Sequence, residues 1–257
     1  MSSGDCLFFS ATVIVATVVW VYIGRKWKFS VLALAMYFPT VAAVLFADDM
    51  HSFVIQCLGF NKVTTSIQYS LLGAVAAVAI VSICAVLDLA AGWAKNEDSS
   101  ASSIHDHNKS VWGFVRAAGE EIGWRCFLLP CLMSRYSPCS ALFISGIVWG
   151  LFHVPVMLLL SVRLKPPRPW LTILVQFTSV ALAAFPHGWL AIQSNYALWA
   201  STMMHFVWNK VNPIVLGSIY TQTPGWLAGP QWLINGEGFS GCVIMFPVAV
   251  LCCWALQ

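Results

Sequence analysis

Charge is what this chain has least of. Asp, Glu, Lys and Arg make up 9% of its 257 residues, where a soluble domain carries about 25%. Water is therefore excluded as the main solvent, in line with 59% hydrophobic residues and a mean hydropathy of +0.78. Organised cysteine is also lacking. The nine Cys form an odd, scattered set with no C-x-x-C pair and no Cys/His cluster at zinc-finger spacing. No disulfide framework is expected, and the thiols read as small apolar packing residues. The first apolar run, 7–24, lacks a basic stretch ahead of it; Arg25-Lys26-Trp27-Lys28 follow it instead. It reads as a first membrane span with its N-terminus outside, not as a signal peptide. No internal repeat is present, which weakens an inverted-repeat transporter. The net charge is only +3, and no nucleic-acid partner is expected.

What is present is a series of apolar runs near the roughly 20 residues a bilayer core requires. They fall at 7–24, 29–47, 67–93, 111–134, 141–162, 170–192, 196–217 and 239–254. The expected fold class is all-α: a polytopic transmembrane bundle of about eight spans. The apolar stretch 52–60 is too short to cross and fits an interfacial or re-entrant segment. Abundant Trp and Phe, 13 and 16 residues, suit two membrane interfaces as well as packing. With the N-terminus outside, the first three inner connections carry Arg25, Lys26, Lys28, Lys95, Lys109, Arg163, Lys165 and Arg168. The outer loops carry only Lys62 and Arg135, and Arg116, Arg125 and Lys210 fall inside spans. This asymmetry satisfies the positive-inside rule. Residues 1–110 read as three spans and a cytoplasmic linker, and 111–257 as a catalytic core, in one continuous membrane domain.

An ionisable side chain inside a span costs on the order of 2.5 to 3.5 kcal/mol, so each one needs a reason. Three later spans concentrate them: Glu120-Glu121-Ile122-Gly123-Trp124-Arg125, Trp149-Gly150-Leu151-Phe152-His153, and His205-Phe206-Val207-Trp208-Asn209. A four-residue step puts two side chains on one helix face, so Glu121 reaches Arg125 while Glu120 points about 100° away. His205 and Asn209 share a face in the same way. At 1.5 Å per residue, Glu120 and His153 lie roughly 14 Å from the cytoplasmic ends of their spans, Asn209 roughly 12 Å and His205 roughly 18 Å. All four fall in one layer on the cytoplasmic side. Small residues around them, among them Gly119, Gly123, Gly146 and Gly150, let these helices approach closely. The plainer readings are a structural salt bridge for Glu120, a packing role for His153, and interhelical hydrogen bonding for His205 and Asn209.

At these residues the sequence resembles the CPBP (Abi) family of CAAX-protease and bacteriocin-processing intramembrane proteases, whose motifs are E-E-x-x-x-R, an aromatic-x-x-x-His and H-x-x-x-N. All three are present in order, over a region running from about residue 111 to the C-terminus. Gly236-Glu237-Gly238 ahead of the last span fits the same likeness. Cys126 after the arginine and Phe152 before the histidine depart from the commoner pattern without removing a catalytic group. The resemblance implies hydrolysis of a peptide bond without a covalent intermediate. Glu120 would be the general base, His153 would share and orient the water, and His205 and Asn209 would donate to the oxyanion. Glu121 and Arg125 would pair in support. It implies membrane lipid and a peptide or membrane-anchored, including prenylated, protein as partners. Family members are often labelled metalloproteases, and zinc on Glu120, His153 and His205 is the alternative. The H-E-x-x-H arrangement is absent, and the metal-free glutamate mechanism is favoured. Two non-peptidase alternatives stand beside it: a non-enzymatic relative with an immunity or chaperone-like role, and a proton-coupled transporter.

Outside these motifs, Asp88 is expected to pair with Arg116 or snorkel. His187, and His105 with His107, read as surface or interface residues, and Lys210 as a residue reaching the interface. Trp124, Trp149 and Trp208 read as packing residues, with shaping of a substrate groove as the alternative.

Overall fold

The computed structural model describes residues 3–97 and 110–257, so His105 and His107 lie outside the described residues. The chain opens with α1 (Ser3–Ile23), a short α2 (Phe29–Leu32), a 3-10 turn (Ala33–Tyr37) and α3 (Phe38–Phe46). Pro39 sits in the first turn of α3, where its missing N–H costs nothing. Asp49 then caps α4 (Met50–Leu58), accepting from the backbone N–H groups of His51 and Ser52. α4 stops at Gly59, whose φ of 63° suits a residue without Cβ. The long α5 (Val63–Ala90) follows, then a two-residue strand β1 (Lys95–Asn96). α6 (Ser110–Glu121) passes into a π-helical stretch, Ile122–Leu128, and on into α7 (Leu129–Met133). α8 (Pro138–Leu164), α9 (Pro169–Gln193) and α10 (Leu198–Val215) form the next three rods. A strand β2 (Leu227–Ala228) pairs antiparallel with β1, and α11 (Gln231–Ile234) and α12 (Phe239–Trp254) complete the described chain.

Among the described residues, five helical segments are long and apolar enough to cross a membrane: Asp5–Ile23, Val63–Ala90, Pro138–Leu164, Pro169–Gln193 and Gln231–Trp254. They match five of the eight expected spans. The other three fall on 29–46, which is broken into short pieces, and on 110–133 and 198–215, which carry the polar motifs. Outward faces are apolar and exposed, as at Leu7, Val15, Leu71, Val75, Val86, Phe143, Val162 and Leu251. Such faces find their natural solvent in lipid. Inside, Phe9, Trp124, Phe127, Leu128, Leu142, Trp149 and Phe152 form one core. A second joins Ala77, Ile80, Val81 and Cys84 of α5 to Ala200, Met204 and Trp208 of α10.

Close helix approach occurs at the expected glycines, but with different partners. A Cβ on Gly123 would collide with Pro39 of α3, and one on Gly146 with the Ala181 carbonyl of α9. The small residues thus seat α3 against the π stretch and α9 against α8, instead of joining the motif helices to one another.

Two disulfides overturn the reading of the cysteines as packing residues alone. Cys6 is bonded to Cys131 and Cys139 to Cys253, with Cα separations of 6.0 and 5.2 Å, within the usual range. The partners are 125 and 114 residues apart in sequence, so no local spacing reveals them. They become neighbours because the start of α1, the end of α7, the start of α8 and the end of α12 lie at one end of the bundle. At the other end, Arg163 of α8 donates to the carbonyls of Gly24, Arg25 and Trp27 just past α1. Asp88 also differs from expectation. It is fully buried on α5 and accepts from Ser240 of α12 at 3.4 Å, which takes the place of the expected Arg116 pairing.

Candidate active site

The π-helical stretch begins directly after Glu121, and its wider turn is seen where the Leu129 N–H reaches back to the Trp124 carbonyl. Such insertions concentrate at functional sites. They let consecutive side chains leave a helix in directions a regular α-turn does not offer. Glu120 and Glu121 are both buried here, with 2% and no exposure, and they hold different partners.

Glu120 accepts from the indole N–H of Trp149 at 2.7 Å and from that of Trp124 at 3.3 Å. Both bonds fall on Oε2, so Oε1 has no protein partner among the described residues. Glu121 accepts from Arg125 at 3.2 Å, the i,i+4 pair expected from the sequence. The same Oε1 of Glu121 lies 2.8 Å from Nδ1 of His205 on α10. Sequence spacing could not give that contact, since 84 residues separate the two.

Trp149 is the hub. Its ring carries the Arg125 guanidinium 3.9 Å from the centroid, a cation–π contact away from water. His153, His205 and His187 surround it at ring-centroid distances of 6.0, 5.7 and 5.3 Å. The packing role expected of Trp149 is therefore incomplete: it ties together all three motif helices and α9. Trp124, also expected only to pack, shares the carboxylate.

His153 is half-buried, and its Nδ1 lies 2.8 Å from the Trp149 carbonyl. A carbonyl only accepts, so Nδ1 carries the proton and Nε2 presents a lone pair. His187 is 3% exposed and 5.9 Å from His205 between ring centroids; it is not the surface residue expected. Its Nδ1 donates to the Ala183 carbonyl at 2.7 Å, and Nε2 is buried without a partner among the described residues. A histidine within an apolar helix gives no sequence signal of this kind, because His187 belongs to no recurring motif. Asn209 is half-buried one turn beyond His205.

The zinc alternative does not fit this arrangement: no group of three His, Cys, Asp or Glu side chains is gathered so as to hold a metal ion among the described residues.

No curated protein sequence matches the chain. Residues 110–211 match the family model described as type II CAAX prenyl endopeptidase Rce1-like. That stretch runs from the start of α6 into α10 and contains Glu120, Glu121, Arg125, Trp149, His153, His187, His205 and Asn209. It stops short of Gly236-Glu237-Gly238. Residues 110–211, and with them the polar centre around Trp149, are similar to the CAAX-protease family.

Proposed function

We propose that the chain is an intramembrane endopeptidase that hydrolyses a peptide bond with water activated by Glu120 and His153. The observation that carries this reading is the pairing of a buried carboxylate, whose Oε1 has no protein partner among the described residues, with a histidine whose Nδ1 is committed to a carbonyl. Two indole donors hold the carboxylate in one orientation, which leaves Oε1 to take a proton from water. His153 Nε2 accepts from the same water and fixes its second hydrogen. The tetrahedral intermediate then places negative charge on the former carbonyl oxygen. His205, held at Nδ1 by Glu121, presents Nε2 to it, and Asn209 adds its amide N–H. As an imidazolium, His205 donates from Nε2 while Glu121 balances its charge. Glu120 finally returns its proton to the leaving amine.

In this reading residues 111–257 are the catalytic core. The chain crosses the membrane about eight times with its N-terminus outside, and the site lies toward the cytoplasmic face. The substrate is a peptide of a membrane-anchored protein, a prenylated one included. Purified protein given membrane-delivered peptides is expected to cleave some of them. Glu120→Gln should lower turnover by about 10²- to 10⁴-fold, the usual worth of a general base, with an unchanged melting temperature. Full activity in that variant would sink the mechanism.

A further inference from the structure

A second polar centre lies toward the end of the bundle opposite the disulfides, built by the segment between α10 and α12. The sequence reads 218–238 as a connection between the last two spans, yet it is folded into the bundle and fixed by buried amides. Asn212 donates to Asn235 and accepts from the Gly236 N–H. Asn235 donates to the Gly217 carbonyl and to Gln231. Ser179 of α9 donates to the Gly236 carbonyl. This scaffold aims Glu237 at Tyr220 and Gln176. The Tyr220 hydroxyl donates to Glu237 Oε2 at 2.5 Å, and the Gln176 amide N–H donates to Tyr220 at 3.0 Å and to Glu237 at 3.4 Å.

Three features give this cluster a direction. First, Glu237 is only half-buried, and both donors fall on one of its oxygens, so the other is left to the outside. Second, Gln176 has no exposure, yet its carbonyl oxygen is buried without a partner among the described residues. An orphaned acceptor of this kind calls for a donor. Third, no Lys or Arg pairs with Glu237 among the described residues; Arg168, at the start of α9, stacks on Trp232 at 4.8 Å instead. The cluster also adjoins the catalytic centre. Tyr220 packs against the buried cluster of Met157, Leu160, Ile173 and Ile219, as does Val156, one helical turn from His153. Its phenol is pushed well above the ordinary tyrosine range, by burial first and then by Glu237, with Glu120 adding to the same field.

We propose that Glu237, with Gln176 beside it, is a specificity subsite that takes a cationic Lys or Arg side chain of the substrate peptide. An ammonium or guanidinium offers several donors and no acceptor. It would satisfy the free carboxylate oxygen and the Gln176 carbonyl together, in charge-assisted bonds. Tyr220 is a positioning residue that holds Glu237. The subsite rests on the peptidase reading for its ligand, so its test reads binding separately from turnover.

The full chain is purified in detergent in a Glu120→Gln background. Fluorescent decapeptides are titrated in, with a single Lys moved along an otherwise neutral sequence and Gln replacing it in the control. At one position the Lys peptide should bind about tenfold tighter than its control, the usual scale of a hydrogen bond to a charged group. Glu237→Gln should erase that preference, and Gln176→Met should reduce it. Gln176→Met carries the test if Glu237→Gln fails to fold. No Lys preference at any position, or a preference that survives both variants, overturns the proposal. So does equal loss of Lys and control peptides in Glu237→Gln, which would assign the site to backbone N–H groups. Cleavage of the same peptides by the wild type reports on the peptidase reading alone: a Lys preference without cleavage would remove that reading and leave the subsite.

Discussion

Trp149 shows how one side chain can carry several interactions that its neighbours in sequence do not announce. Its N–H fixes the carboxylate of Glu120 while its face holds Arg125 and three histidine rings stand steeply inclined to it. Trp149→Phe keeps a ring but removes the 2.7 Å bond. Turnover should fall by about tenfold or more, since a lost bond to a charged group costs about 1.5 to 3 kcal/mol. The melting temperature should change little, and steady-state kinetics beside a thermal melt separates the two. Glu121 is the opposite case. Both it and Arg125 are buried, with no and 1% exposure, so Glu121→Leu leaves an uncompensated cation. A loss of about 3 to 5 kcal/mol follows for a broken buried pair, read as a lowered denaturation midpoint, and Glu121→Leu with Arg125→Leu should recover part of it. The Glu121–Arg125 pair was legible from its four-residue step, because helix geometry alone brings those side chains together. His187 and the indole donors were not. An aromatic or a lone imidazole in an apolar helix has the same local pattern whether it packs or bonds, and only the neighbouring helix decides.

At the scale of elements, hydropathy located the long rods well, because a lipid-facing helix must be apolar along its length. It located poorly the segments on which the polar centre depends. The run 29–46 breaks at a 3-10 turn and restarts at Pro39, and 110–133 passes through a π turn. Neither break changes the mean hydropathy of the run. These two irregular segments meet at Gly123, where a side chain would land on Pro39. Gly123→Leu should therefore push α3 off the π stretch. The expected cost is about 1 to 3 kcal/mol for overpacking, seen as a lower melting temperature. Because Glu120 lies three residues earlier, activity should fall at temperatures where the variant is still folded. A variant as stable and active as the wild type would show that the α3 contact does not position the site.

For the molecule as a whole, the sequence put Glu120, His153, His205 and Asn209 at one depth; the structure brings Glu120, Arg125, His153 and His205 against one indole and joins Glu121 to Arg125 and His205. What the sequence did not reveal was long-range covalent structure. Cys6–Cys131 and Cys139–Cys253 make the connectivity of the chain different from its sequence order. α1 is attached to the rest of the bundle twice, once by the backbone and once by sulfur, and α12 is attached in the same double manner. The exposed turn holding Arg25 and Lys26 is a natural trypsin site. A cut there opens the backbone but leaves the first fragment bound to α7. Nicked protein should therefore run as a single band without reductant and lose a fragment of about 25 residues when reduced, whereas release of that fragment without reductant would show that the Cys6–Cys131 bond is not formed. The two sulfur bridges thus make a severed chain remain one molecule, so limited proteolysis of this bundle counts covalent loops and not surface exposure alone.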